Sequence, residues 1–352
     1  MTSDTGHDGA PPRRATLKDV ARLAGVSPMT VSNVINGTGR GYRAETLARV
    51  MRAVADANYR PDVAARSLRT SRHMSVGMLV MRAGPRFLAD PYITNLIDGL
   101  CSGLNRRGYS LVLQGLLPEE IGAAPLVRQR QTDALCVLMP GAFASDPVVR
   151  PALLALNQPV ILFQQFGALP EGDICFVRQD DFEGGQALCR HVLERGARDL
   201  VVLIPQLDWP AMLERVGGIR AHAAAAAPAT PASVTVVTSA DESPLAAQAA
   251  LDAHLAAGGR PDAVLAGNDQ MAVGAWRLLR RRGLRVPQDV RLTGFNGFDF
   301  LDLLPERLTT VQSPAMKLGE LGAHHIVRRV ETGAFESGTV VLPVTLMPGE
   351  TT

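Results

Sequence analysis

Two hydrophobic rhythms divide this chain. Between about Ser75 and Phe295, short unbroken apolar runs alternate with longer stretches whose apolar residues repeat at helical spacing. The runs predict strands over Ser75 to Met81, Ser110 to Gln114, Ala134 to Met139, Val160 to Phe163, Leu200 to Ile204, Val234 to Thr238, Ala263 to Ala266 and Arg291 to Phe295. Helices are expected between them, among them Ile93 to Arg107, Gly184 to Arg195 and Gln270 to Arg282. Such alternation implies an α/β fold of doubly wound parallel sheets, and this many strands needs two lobes.

Ahead of Ser75 the pattern is helical only. Leu17, Val20, Ala21 and Ala24 recur at i, i+3, i+4 and i+7, with Thr16 three residues before Asp19 as a variant capping box. Gly25 suits the left-handed residue that ends a helix, and Ser27-Pro28 supplies an N-cap and a proline at the first helical position. In the second helix Val31, Val34 and Ile35 form the inward stripe, which leaves Pro28, Met29, Thr30, Ser32 and Asn33 facing outward. A third helix is expected from about Ala44 to Asn58, with Leu47, Val50, Met51 and Val54 on one face and Arg43 at its N-cap. Helix, short turn, helix is the arrangement that lays its second helix in a DNA major groove.

Composition and charge support that assignment. The chain has 352 residues, 46% hydrophobic and 20% charged, more than one typical domain and ample for a core. No apolar run reaches the roughly 18 residues of a membrane span, and the polar N-terminus lacks a secretory apolar segment, so a cytoplasmic, nucleoid-associated protein is expected. Met1 to Arg72 holds twelve Lys and Arg against six Asp and Glu, while the remainder holds twenty-four against twenty-eight. A basic module on an acidic body points to a polyanion partner. Cys101, Cys136, Cys175 and Cys189 lack metal or disulfide spacing, and the adjacent His324 and His325 would point about 100° apart on a helix; neither a metal nor a cofactor is expected.

Three segments in order, TLKDVARLAGVSPMTVSNVING, NYRP and ARSL, resemble the headpiece and hinge of the lactose-repressor (LacI/GalR) family of bacterial transcription regulators. Further on, DDFEGG, RVGG, and PDAVLAGNDQMAVGAWRLLRRRGLRVPQDVRLTGFNGFD with LTTVQSP resemble that family's effector domain, a fold shared with periplasmic sugar-binding proteins. The resemblance implies a three-helix helix-turn-helix headpiece plus a two-lobed periplasmic-binding-protein-like effector domain. It places a disordered tail at residues 1–14, the headpiece at 15–60, a hinge at 61–73 and the effector domain at 74–349. The first lobe is expected over about 74–176 and 305–328, the second over about 177–304 and 329–349.

Roles follow from the resemblance residue by residue. Thr16, Ser27, Pro28, Met29, Thr30, Ser32, Asn33 and Asn36 are expected at the DNA, with Arg66 and Leu68 in a hinge helix whose leucine wedges between base steps of the minor groove. The effector cleft is expected to use Arg215 of the R-x-x-G motif and Asp269 of the N-D motif, whose fork and carboxylate suit adjacent hydroxyls. Tyr92 in DPYI is a further cleft candidate. Asn296 and Gln164 stand where the family often has carboxylates, so the pocket should be less negative and more tolerant of an acidic or amide-bearing ligand than a sugar site. The implied partners are a pseudo-palindromic double-stranded operator, a carbohydrate-like small-molecule effector and a second copy of the chain. The C-terminal LPVTLMPGETT lacks an apolar heptad tail, which favours a dimer over a tetramer.

Two other classes of function compete with a repressor. An enzyme is disfavoured because G-x-G-x-x-G after a strand, G-x-x-x-x-G-K-[ST], H-E-x-x-H and G-x-S-x-G are all missing. A binding protein for transported ligands would share the body fold, but would carry a leader and no DNA headpiece.

Overall fold

The computed structural model describes residues 15–36, 41–60, 72–82, 87–166, 172–206, 209–226 and 231–352. The chain forms two units, Met1–His73 and Met74–Thr352. The tail at 1–14 and nearly all of the expected hinge, with Arg66 and Leu68, lie outside the described residues.

The first unit contains α1 (Leu17–Ala24), α2 (Pro28–Ile35) and α3 (Ala44–Asp56). Thr16 and Asp19 close a reciprocal capping box, and Gly25 ends α1 at φ 61°. The Ser27 hydroxyl accepts from the Thr30 amide at 3.1 Å, with Pro28 next in line. Val20, Ala21, Ala24, Val31, Val50 and Ala53 form the common core. Two expectations are corrected here. Met51 is 54% exposed, because Ala53, one turn beyond Val50, occupies the inward position of α3. Ser32 is buried, since its small hydroxyl sits under Asn36, whose amide donates to it at 3.2 Å and to the Ser32 carbonyl at 2.7 Å.

The second unit has two parallel sheets. Its first lobe carries β1 (Ser75–Met81), α4 (Pro91–Asn105), β2 (Ser110–Leu116), α5 (Pro125–Arg128), β3 (Ala134–Leu138), α6 (Val149–Leu154), β4 (Val160–Phe163) and β5 (Ile174–Gln179). The second holds α7 (Asp181–Glu194), β6 (Asp199–Pro205), α8 (Pro210–Ala225), β7 (Ser233–Ser239), α9 (Pro244–Ala256), β8 (Ala263–Ala266), α10 (Asp269–Arg281), β9 (Arg291–Thr293) and β10 (Thr310–Gln312). The chain then adds α11 (Ala315–Thr332), β11 (Thr339–Leu342) and β12 (Thr345–Met347).

In the first lobe the strand order is β11-β5-β4-β3-β1-β2, and both faces are covered. Met78 and Val80 pack toward α4 and α11, whereas Leu79 and Met81 pack toward Leu126 and Leu153 on the other side. That period-two division is why the strand is apolar at every position. The second lobe has the order β7-β6-β8-β9, flanked by α9 and α10 on one face and by α7 and α8 on the other.

The lobe limits differ from those expected. Strand β11 pairs in parallel with β5, and Ile326, Val327 and Leu342 pack in the first lobe's core, so residues 329–342 belong to the first lobe. Conversely β10 pairs with β12, and Val311 and Leu346 pack with Leu188 and Leu200, so residues 305–312 belong to the second. The crossovers follow β5, β10 and β11. They lie side by side: the Asp180 amide donates to the Leu342 carbonyl at 2.9 Å, and the Ser313 hydroxyl donates to Gln179 Oε1 at 2.5 Å. Among the described residues no helix is long and apolar enough to cross a membrane, and no group of three ligating side chains could hold a metal ion.

Candidate functional site

In the headpiece, cap chemistry sets which side chains of α2 remain outside. Pro28 and Ser27 are exposed at its start, and Met29 is 66% exposed. Thr30 and Asn33 are half-buried; Asn33 Nδ2 donates to the Tyr42 hydroxyl at 3.2 Å. Met29 and Asn33 therefore lie one turn apart on one side of the helix, with Tyr42 beside the asparagine. Thr16 and Asn36 are exposed, but their polar atoms cap helices: Thr16 with Asp19, Asn36 with Ser32. Basic residues Arg43, Arg49, Arg52 and Arg60 are exposed on the same unit.

In the body, a cleft opens between the lobes at the carboxyl ends of the strands. The first lobe supplies Asp90, Tyr92, Ile93, Leu138 and Gln164; the second supplies Trp209, Ala211, Met212, Arg215, Glu242, Asn268 and Asn296. Leu138, Gln164, Asn268 and Asn296 lie at or just past the ends of β3, β4, β8 and β9, which is where this topology gathers polar groups. Two side chains are aimed by unusual backbone. Gln164 has φ 55° and Asn296 has φ 113°, conformations that L residues adopt at a cost and that recur at functional sites.

Beneath the cleft a buried polar network centres on Asp181. Its carboxylate accepts from Arg215 Nε at 2.8 Å, Gln179 Nε2 at 2.8 Å and Gln164 Nε2 at 2.9 Å. Burial pushes the Asp181 carboxyl above its ordinary range, opposed by the Arg215 charge and the hydrogen bonds from Gln179, Arg215 and Gln164. Arg215 is 4% exposed. Its Nη1 donates to the Gly267 carbonyl at 2.5 Å, and its guanidinium lies 3.6 Å from the centroid of the Phe295 ring. Only Nη2 is loosely held, at 3.4 Å from Asn296 Oδ1, and it is the donor best placed to serve a ligand oxygen. One close helix crossing, with a glycine on each side, makes the pair possible. A Cβ at Gly185 would collide with the Arg215 carbonyl oxygen, and one at Gly218 with that of Phe182, so α7 and α8 approach through glycine.

Of the five expected cleft residues, Tyr92, Gln164, Arg215 and Asn296 line the cavity and Asp269 does not. Asp269 is fully buried, where it accepts from the Phe298 amide at 3.0 Å and from the Thr310 hydroxyl at 2.6 Å. Nor is it the N-cap of α10, a place held by Asn268, whose Oδ1 accepts from the Met271 amide at 2.8 Å. Asp269 thus ties down the loop after β9 that presents Asn296. Burial pushes its carboxyl up to about 7, with the bonds from Thr310, Phe298 and Gly297 acting against that rise. Gln164 is also more committed than expected, because its Oε1 accepts from the Gln179 amide at 2.9 Å while its Nε2 holds Asp181.

Sequence reasoning missed Asp90, Trp209, Glu242 and Asn268 in the lining, and Asp181 and Gln179 below it. Asp181 stands inside DDFEGG and pairs with the arginine of RVGG, so both motifs mark one buried contact. No local pattern announces Glu242 or Trp209, which sit in connections.

The comparisons with known proteins agree with this geometry at both ends of the chain. Residues 16–62 match the model for bacterial regulatory proteins of the lacI family, and residues 189–352 match a periplasmic binding protein-like domain. The HTH-type transcriptional repressor PurR of Erwinia tasmaniensis is 30% identical over 341 residues, covering 95% of both chains. The ribose operon repressor of Escherichia coli is 28% identical over 337 residues, 95% of this chain and 98% of the relative. Among solved structures, a complex of the transcriptional regulator CelR with cellobiose has a TM-score of 0.70 at 27% identity, covering 96% of this chain and 100% of that one. A Lac repressor dimer bound to operator and the anti-inducer ONPF shares the fold, with a TM-score of 0.83 at 23% identity over 96% of this chain and 99% of the other. The PurR relative at 30% identity over 95% of both chains, together with the headpiece match and the helix-turn-helix built as its motif implies, places the chain in the lacI family of bacterial regulatory proteins: it is a DNA-binding regulator of transcription.

Proposed function

We propose that the chain acts as a homodimeric, cytoplasmic, nucleoid-associated repressor whose operator affinity is set by a hydroxylated small molecule bound between the lobes. It works by binding rather than by turnover. The observation that carries this reading is the cleft itself: Arg215 Nη2 and the Asn296 and Asn268 side chains gather at one site directly over the Asp181 network and the crossovers. A ligand that engages Arg215 pulls on the second lobe, while Gln164 belongs to the first; closing the cleft favours one mutual placement of the lobes. Relatives supply the ligand class, since the ribose operon repressor and the cellobiose complex of CelR both name sugars. On the DNA side, α2 enters the major groove and each headpiece covers one half-site of a pseudo-palindrome.

The test is retardation of DNA from upstream of the protein's own gene, followed by titration of the complex with sugars. Specific retardation that shifts with a sugar for the wild type, and does not shift for Arg215→Ala, upholds the proposal. Turnover of an added compound without retardation, or identical responses of wild type and variant, defeats it. Base reading has its own check. Asn33→Arg is expected to change the preferred half-site in a randomised-site selection, each altered contact being worth roughly 1–3 kcal/mol. An unchanged preference moves the reading residue elsewhere on α2.

A further inference from the structure

The chemistry of the cleft is unequal at its two ends. Around Arg215 it offers donors and amides to oxygen. Opposite, Asp90 and Glu242 share a single cation: Arg82 Nη1 lies 3.1 Å from Asp90 Oδ2, and Arg82 Nη2 pairs with Glu242 Oε1 from the other lobe. Arg215 is matched by Asp181, so among the described residues these five groups carry one carboxylate charge more than they have guanidinium charge. Glu242 is 9% exposed; Arg82 takes its Oε1, and its buried Oε2 has no hydrogen-bond partner. The Tyr92 hydroxyl, in the same lining, is likewise buried without a hydrogen-bond partner, and burial, with Asp181 adding to it, holds that phenol well above its ordinary value. Trp209 completes this end; the Arg82 guanidinium already lies 5.8 Å from the centroid of its ring. Buried acceptors without donors are costly, and carboxylates flanked by aromatic faces form a site complementary to a cationic nitrogen.

We infer that the effector is a hydroxylated compound bearing a protonated amine, of the amino-sugar class, with its hydroxyls at Arg215 and its ammonium against Glu242 and Asp90. The inference rests on the cleft assigned above and narrows what it takes. An ammonium brings three donors and one positive charge, which satisfies Glu242 Oε2 and cancels the excess carboxylate. A neutral sugar brings donors but no charge. An N-acetylated sugar loses the charge and adds bulk.

The experiment uses the full-length protein and matched pairs at pH 7: D-glucosamine with D-glucose, D-galactosamine with D-galactose, and D-mannosamine with D-mannose, together with the N-acetyl forms. Binding is read by calorimetry and by the shift in melting temperature. At least one amine is expected to bind tenfold or more tightly than its neutral and N-acetyl counterparts. Glu242→Gln keeps the shape and still accepts from Arg82, and it is expected to erase that preference while melting, without ligand, near the wild-type temperature. Asp90→Asn, on the same guanidinium, is expected to weaken the preference less. Equal or tighter binding of the neutral member, survival of the preference in Glu242→Gln, or binding by none of the amines overturns the inference. The broader reading is judged separately. If neutral sugars bind and Arg215→Ala abolishes it, the effector cleft stands and only the amine falls; if operator retardation ignores every compound, the cleft reading falls as well.

Discussion

The headpiece and the cleft handle the same residue types in opposite ways. In the headpiece, Met29 of α2 is 66% exposed and the caps Ser27 and Thr16 lie at the surface, so its chemistry waits in water for a partner. In the cleft, Arg215 is 4% exposed, Asp181 is fully buried, and their charges are committed to each other before any ligand arrives. The difference bears on what a mutation does. A surface change in the headpiece alters recognition and little else, whereas a change beneath the cleft removes a partner from a buried charge.

The strongest test of that contrast is to break one side only. Val31→Asp places an unpaired carboxylate in a headpiece core of six buried residues, a penalty of several kcal/mol that so small a core cannot absorb. Operator affinity is expected to fall more than 100-fold while the unfolding transition of the body stays put. A body transition that moves along with it would show that the two units are not separable.

Next comes the buried pair. Arg215→Ala leaves Asp181 facing only amides, and the body is expected to lose about 3–5 kcal/mol, read by urea denaturation. Adding Asp181→Asn should return part of that loss. Wild-type stability in the single variant would mean that the network organises the site without holding the fold.

A smaller effect is expected with pH. The Asp269 carboxyl is raised from 3.8 to about 7 in the folded protein, so protonation favours the folded state. The stability it contributes is fully present below about 4 and is lost as pH rises through about 7. Asp269→Asn, which can still meet Phe298 and Thr310, should flatten that stretch of the stability profile. Parallel profiles for the two proteins between pH 4 and 7 would remove Asp269 from the account.

The smallest lies back in the headpiece. Ser27→Ala removes the cap bond to Thr30 and is expected to cost about 1 kcal/mol of headpiece stability, seen as faster amide exchange at Thr30, with no change in sugar binding. A larger loss would mean that the exposed side of the headpiece is as interlocked as the cleft.

What could be read in the sequence tracks how local each cause is. The capping box at Thr16, the Ser27-Pro28 start and the Gly25 stop involve neighbours within four residues, and all are found as expected. Ser32 and Met51 depart from the pattern because hydrophobicity does not give the angle: a small serine tucks under Asn36, and Ala53 takes the core position rather than the larger Met51. The last crossover was misjudged because β11, half-exposed at a sheet edge, carries no pattern that says which sheet it joins. The N-D motif points Asp269 to the ligand, but it lies outside the lining, and the groups it accepts from, Phe298 and Thr310, come 29 and 41 residues later. Arg215, Gln164, Tyr92 and Asn296 all line the cleft, Gln164 and Asn296 just beyond strand ends, Tyr92 at a helix start and Arg215 within α8.

The glycine crossing of α7 and α8 also bears on how this protein would answer to selection. Gly185 and Gly218 let Arg215 reach Asp181, and any side chain at either would drive backbone into backbone. Those two positions and the pair they permit are therefore closed to drift, while Trp209, Glu242 and Tyr92 line the cleft without holding that crossing. A laboratory library meant to retune the protein as a sensor should randomise those three, leave the crossing alone, and yield mostly folded variants with new appetites; one that randomises the crossing should yield mostly aggregates.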